Sequence, residues 1–354
     1  MKGERVFSLD LLRVLACYMV IQVHAGEFYY IGEGNTVINN ADASWVGLYN
    51  SLFRSAVPLF IMITGYFVLP VKEEMSTFFK RRFTRVVIPF VVWCGLYAVY
   101  FFFTGDSTLG EVFINIAKIP VNFGVEVGHL WYIYMLIGLY LFFPIISPWL
   151  NSASRNNILF FLVIWAVTLL LPYIHREFPE VLGECFWNPT PLLYYFSGFL
   201  GFAVLGCYLK KFHKEKNKWD LTAGVALIVI GYLITYTLFI TRLDTEKMVT
   251  DLELSWNYGT INVAMMALGI FLVIKNIQFK KNNAFRRRMV SISMMSYGMY
   301  LVHIMVLNFF YWAFNDMFSS AAVKIPLMAV CTFIVSYIII KLISYRSRSK
   351  YIIG

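Results

Sequence analysis

The sequence predicts an all-α polytopic membrane bundle of about ten transmembrane helices with both termini cytoplasmic. Three observations carry that expectation. The chain is 59% hydrophobic and only 14% charged over 354 residues, and its mean hydropathy is +0.66. A soluble protein of this length has no core large enough to hide so much apolar surface. Ten apolar stretches are long enough to span, and the basic residues fall almost entirely into alternate connections.

The first stretch, residues 7–25, follows Lys2 and Arg5 in the manner of a signal peptide's basic region. Asp10 and Arg13 interrupt its apolar run and no small-residue cleavage site follows, so a retained helix is expected. The others are residues 52–69, 86–103, 130–150, 158–174, 191–209, 221–240, 261–274, 292–312 and 325–342, the fifth and eighth being the shortest. One set of connections holds both termini, the segment around Lys80, Arg81 and Arg82, Arg155, loops 210–218 and 275–288, and the tail 346–350. It contains 23 of the 30 Lys and Arg residues; the opposite set has five (Lys118, Arg176, Arg242, Lys247, Lys324), and Arg13 and Arg54 lie within spans. By the positive-inside rule the first set is cytoplasmic. The net charge of +10 is then a topology signal and gives no support to nucleic-acid binding.

Two outer connections, residues 26–48 and 104–129, are long enough to carry structure. Thr108-Leu109-Gly110-Glu111 reads as a capping box opening an apolar run (Val112, Phe113, Ile116), which predicts a short interfacial helix. The five cysteines show no CxxC or other metal-ligand spacing, so neither a disulfide framework nor a metal site is expected. No internal repeat or low-complexity segment is evident, and residues 1–354 read as a single integral-membrane domain.

The candidate functional residues are the ionisable ones inside spans, where burial of a charge is costly and usually serves a polar path or a substrate. Arg13 and His24 are eleven residues apart in the first stretch. They therefore differ by only about 20° around a helix and by about 16 Å along it. Asp10 is one turn from Arg13 and is expected to pair with it. Arg82 and Arg85 share a face at the basic end of the third stretch. Arg54, His129 and His303 lie toward the opposite side, giving a cationic layer and a histidine-rich layer.

Five blocks carry a resemblance to a known family. They are Leu9-Asp10-Leu11-Leu12-Arg13 to His24 (Arg-x10-His), Val57 to Tyr66 (VPLFIMITGY), Arg81 to Pro89 (RRFTRVVIP), His129-Leu130-Trp131-Tyr132 to Pro144, and Ser296 to His303 (SYGMYLVH). In this order they resemble the acyltransferase-3 family of membrane-bound O-acyltransferases, especially the stand-alone O-acetyltransferases of bacterial surface glycans. One position departs: where many members carry a glutamate five residues after the fourth-helix Trp, this chain has Leu136.

The resemblance implies acyl transfer in the bacterial inner membrane, from cytoplasmic acetyl-CoA to a hydroxyl of an envelope glycan or its lipid-linked precursor. Guanidinium forks match phosphate oxygens, so Arg13, Arg82 and Arg85 are assigned to the donor's nucleotide. His24 is assigned as general base, with Asp10 and Arg13 beside it in the catalytic set. Arg54, His129, Trp131, Tyr132, Tyr297, Tyr300 and His303 are candidate acceptor contacts, with lipids as surroundings and oligomerisation left open. Plainer readings stand beside these. Arg13 can snorkel to headgroups, Arg82 and Arg85 can serve topology alone, His129 and His303 can make structural hydrogen bonds, and the aromatics can form belts. A proton-coupled secondary transporter, or an exporter of an acylated sugar, is the alternative from another class.

Overall fold

The computed structural model describes residues 5–122, 127–188, 190–213, 217–277 and 283–354. Lys2, Lys214, Lys216, Lys280 and Lys281 of the basic set lie outside the described residues. The helices are α1 (Phe7–Glu27), α2 (Ala41–Phe53), α3 (Ala56–Val68), α4 (Met75–Arg82), α5 (Ile88–Thr104), α6 (Leu109–Asn122), α7 (Trp131–Ser152), α8 (Arg155–Thr168), α9 (Leu171–Glu177), α10 (Leu200–Phe212), α11 (Lys218–Leu243), α12 (Val249–Leu252), α13 (Ile261–Asn276), α14 (Ala284–Phe314), α15 (Ala321–Ser344) and α16 (Lys350–Ile353). Among the described residues there is no strand, only isolated bridges between loop residues.

Among the described residues, eight segments are individually long and apolar enough to cross a membrane. The segment Val249–Trp256 with Ile261–Asn276, bent by 41°, makes a ninth if it is one span. The stretch 191–209, expected to be a full span, is α-helical only from Leu200, over the 13 residues of α10. Gly198, at φ +86°, ends the irregular approach there, and a helix of this length rises only about 20 Å. Outer segment 26–48 contributes the start of α2, and α2 runs into α3 as one long span.

Burial orders the helices. In α1, 67% of the apolar window is buried, against 22% in α11, so α1 is central and α11 peripheral. Around α1 stand α14, α15, α3 and α2. α3 and α10 meet backbone to backbone. A Cβ on Gly65 would stand 2.0 Å from the Ala203 carbonyl oxygen, and one on Gly206 would stand 2.0 Å from that of Met62. Gly65, the glycine of the VPLFIMITGY block, is thus a packing requirement of this helix pair.

Two prolines distort helices at candidate site arginines. A proline lacks the N–H that the carbonyl four residues earlier needs. Pro58 stands four residues after Arg54, and the α2–α3 span breaks at Arg54 and Ser55 (Ser55 φ −75°, ψ 1°). Pro89 stands four residues after Arg85, and residues Phe83–Val87 form a π-helical turn in which the Ile88 N–H bonds the Phe83 carbonyl. Such turns occur often at functional sites.

The expected capping box forms: the Thr108 N–H donates to Glu111 Oε2 at 2.7 Å, and the Glu111 N–H to Thr108 Oγ1 at 3.4 Å. These bonds from the Thr108 backbone and hydroxyl hold the Glu111 carboxyl below its ordinary range. The helix it opens, α6, exposes Phe113 and Ile116 along its length, as a helix lying at an interface does.

Candidate active site

Two chambers lie back to back inside the bundle. The outer chamber, about 460 Å³, is bounded by the last two turns of α1, the start of α3, the start of α7 and the middle of α14. The chamber on the basic side, about 290 Å³, is bounded by the first half of α1, the π-helical turn, α7 and the first half of α14. Tyr132 and Tyr300 line both. Their rings stand 5.6 Å apart at 70°, and they form the wall between the chambers. The Tyr300 hydroxyl donates to the His129 carbonyl, which ties this wall to the histidines.

His24 lies on the outer side of the wall. Its Nδ1 stands 2.8 Å from Glu27 Oε2, one turn further along α1. A carboxylate only accepts, so Nδ1 carries a proton, and in the neutral ring Nε2 is the nitrogen with the lone pair. His129, from the turn before α7, and His303, from α14, complete a cluster. Ring centroids are 6.2 Å apart for His24 and His129, 5.3 Å for His24 and His303, and 4.8 Å for His129 and His303. His303 Nδ1 donates to the Tyr300 carbonyl at 2.6 Å. The Nε2 atoms of His129 and His303 are buried without a partner among the described residues.

Arg54 also faces the outer chamber and is ion-paired through Nη2, while its Nε is buried without a partner among the described residues. Its Nη2 donates to Glu253 Oε1 at 3.0 Å and to the Tyr30 hydroxyl at 3.3 Å. Its guanidinium carbon stands 4.3 Å over the Trp256 ring. The Tyr30 hydroxyl donates to Glu253 as well. The break before Pro58 is what turns Arg54 out of the helix line toward this group. Across the chamber, Trp131 stacks on Tyr258 at 5.7 Å and 25°, a flat aromatic platform.

On the basic side, Arg13, Arg82 and Arg85 line one chamber. Arg82 stands 5.2 Å over both the Phe78 and the Tyr140 rings, and its Nε is buried without a partner among the described residues. Arg13 stands 5.7 Å over Phe67. Tyr297 lies on this side too, its hydroxyl donating to the Val86 carbonyl at 2.8 Å, and Leu136 lines the same chamber.

Asp10 does not pair with Arg13. Arg5, in the extended segment before α1, presents its fork to the carboxylate at 2.6 and 2.8 Å, and Ser293 of α14 donates to it at 2.8 Å. Those three bonds occupy both oxygens and tie α1 to α14, so Arg13 keeps its donors for the chamber. Sequence reasoning also passed over three residues. Glu27, three residues after His24 and so on the same face, was signalled by its spacing. Glu253 and Tyr258 carry no local signal, because the first meets Arg54 across 199 residues of chain.

The fold and the site define a polytopic membrane protein with a basic pocket and a histidine pocket divided by two tyrosines. A family model of the acyltransferase domain matches residues 6–341, and the chain belongs to the acyltransferase-3 family. It is therefore a membrane acyltransferase. No curated protein and no solved structure matched in the same comparisons.

Proposed function

We propose that the protein is an O-acetyltransferase of the bacterial inner membrane. It takes acetyl from cytoplasmic acetyl-CoA and delivers it to a hydroxyl of an envelope glycan or its lipid-linked precursor. The observation that carries this reading is the pair of chambers sharing the Tyr132–Tyr300 wall, one lined by three arginines and the other by a histidine–carboxylate dyad. Family membership supports acyl transfer over the transporter alternative, and the arginines support a phosphate-bearing donor on the basic side.

In this mechanism Arg13, Arg82 and Arg85 hold the donor's phosphates by charge-assisted hydrogen bonds. The pantetheine arm runs along α1 toward the wall and presents the thioester there. The acceptor sugar lies on the Trp131–Tyr258 platform, its ring face against the indole. His24 Nε2 removes the proton from the attacking hydroxyl as the new O–C bond forms at the thioester carbonyl. The C–S bond then breaks, and the departing thiolate receives that proton from His24. Glu27 holds the imidazole in the tautomer this needs and faces the positive charge formed as the proton arrives.

The test is acetyl transfer by purified protein in proteoliposomes, given labelled acetyl-CoA and an envelope-glycan extract. Labelled glycan with the wild type, and its loss in His24→Ala at equal protein level, supports the reading. Full transfer by His24→Ala, or solute uptake without thioester consumption, overturns it.

A further inference from the structure

The charges around the outer chamber go further than the reading above, on which this inference rests. Among the described residues, three side chains with fixed charge line that chamber: Glu27, Arg54 and Glu253. Glu27 is engaged by His24 Nδ1 at 2.8 Å. Arg54, the one cation among them, is paired through Nη2 with Glu253 and Tyr30 and lies over the Trp256 ring face, with Nε left unpartnered among the described residues. With His24 in the base form that the proposed mechanism requires, these side chains carry one negative charge more than positive, and the guanidinium already has a carboxylate partner. Both carboxylates are partly buried, so water screens that excess less than it would at an open surface.

We propose that the outer chamber selects an acceptor sugar that is uncharged or bears an ammonium group, and rejects uronates and phosphorylated sugars, with Glu253 setting that selectivity. A carboxylate entering the chamber shares it with Glu27 and Glu253, and the guanidinium there is already ion-paired; such like-charge contacts disfavour a ligand. The donor side is the reverse: three arginines serve an anion there. The two substrates are thus sorted by charge as well as by face. Glu253 acts as the lock on Arg54, because removing its charge releases the guanidinium to an acid.

The experiment compares kcat/KM for matched acceptors that differ only in charge: a sugar acid and its amide. They are built on two frames, with the carboxylate at C6 in one and on a 3-O-ether in the other, so that each hydroxyl is retained in one of them. The expected result is preference for the amide on the order of 10²-fold in the wild type. Glu253→Gln is expected to lose most of that preference by gaining activity on the acid. Thermal stability and acceptor-free thioester hydrolysis monitor folding of the variant; should it fail to fold, the wild-type acid-to-amide ratio decides. Equal use of acid and amide by the wild type overturns the inference while leaving acyl transfer standing. An unchanged ratio in a folded Glu253→Gln overturns the role of Glu253. Absence of transfer to any sugar overturns the proposed function, and this inference with it.

Discussion

His24 Nδ1 and Glu27 Oε2 stand 2.8 Å apart across one turn of α1, where the helix opens onto the outer chamber. The pair is built within a single helix, so its geometry survives motions between helices. That makes Glu27 a positioning residue with a distinct expected signature. Glu27→Gln keeps the shape and can still bond the ring, yet its amide can present a donor and admit the wrong tautomer. We expect kcat to fall roughly 10²- to 10⁴-fold with the donor KM unchanged. Glu27→Asp should recover part of the rate. Steady-state kinetics with labelled acetyl-CoA measure both, and an unchanged kcat for Glu27→Gln refutes the role.

The dyad shows what the sequence makes legible. Positions fixed by helical spacing within one segment are readable, which is why the common face of Arg13 and His24 and the capping box at Thr108 were both recoverable. The proline blocks carried more than family resemblance. In each, an arginine precedes the proline by four residues, where the carbonyl loses its donor and the helix deforms. Contacts between distant segments were not readable. Asp10 found Arg5 and Ser293 because an extended N-terminal segment and α14 both reach it, and neither approach is written in helical spacing. Glu253 closes Arg54 from a connection with no motif. The sixth apolar stretch was apolar enough to span, yet Gly198 and the turns before it leave only α10 helical.

The basic chamber predicts a preference that isolates the phosphates. If Arg82 and Arg85 grip the donor's nucleotide, the wild type should use acetyl-CoA far better than acetyl-pantetheine, which lacks it. Arg82→Ala should raise the KM for acetyl-CoA by roughly 10- to 100-fold, as expected for loss of a charge-assisted contact. Its KM for acetyl-pantetheine should not change. Raising salt should weaken the wild type toward the variant, because the contact is electrostatic. Equal loss with both donors would assign Arg82 to structure alone.

Close approach of α3 and α10 gives a prediction about stability. A Cβ at Gly206 falls 2.0 Å from a backbone oxygen, and neither partner has a flexible side chain there to move aside. Gly206→Ala should destabilise the detergent-solubilised protein by about 1–3 kcal/mol, the usual range for overpacking. Gly95, whose Cβ would meet nothing within 4 Å, provides the contrast, and Gly95→Ala should be neutral or slightly stabilising. Thermal unfolding followed by tryptophan fluorescence compares the two. Matching melting temperatures for Gly206→Ala and the wild type would mean the helices are not in this contact.

The Tyr132–Tyr300 wall has the most direct functional consequence. A thioester held beside a water-accessible histidine is at risk of hydrolysis, and excluding water from the reacting atoms is one way enzymes prevent it. Tyr300 contributes to that exclusion through its ring, while its hydroxyl anchors the wall to the His129 carbonyl. The two parts separate by mutation. Tyr300→Phe retains the ring and loses one hydrogen bond, which costs about 1 kcal/mol. It should keep transfer coupled to thioester cleavage. Tyr300→Ala removes the ring and joins the chambers, so free thiol should appear without acceptor and the ratio of sugar ester to thiol should fall. The two products are counted in one assay, by thiol titration and by label in the glycan. A ratio unchanged in Tyr300→Ala would mean that something other than this ring keeps water from the donor. The chambers would then be neighbours in space without being the two sides of one reaction.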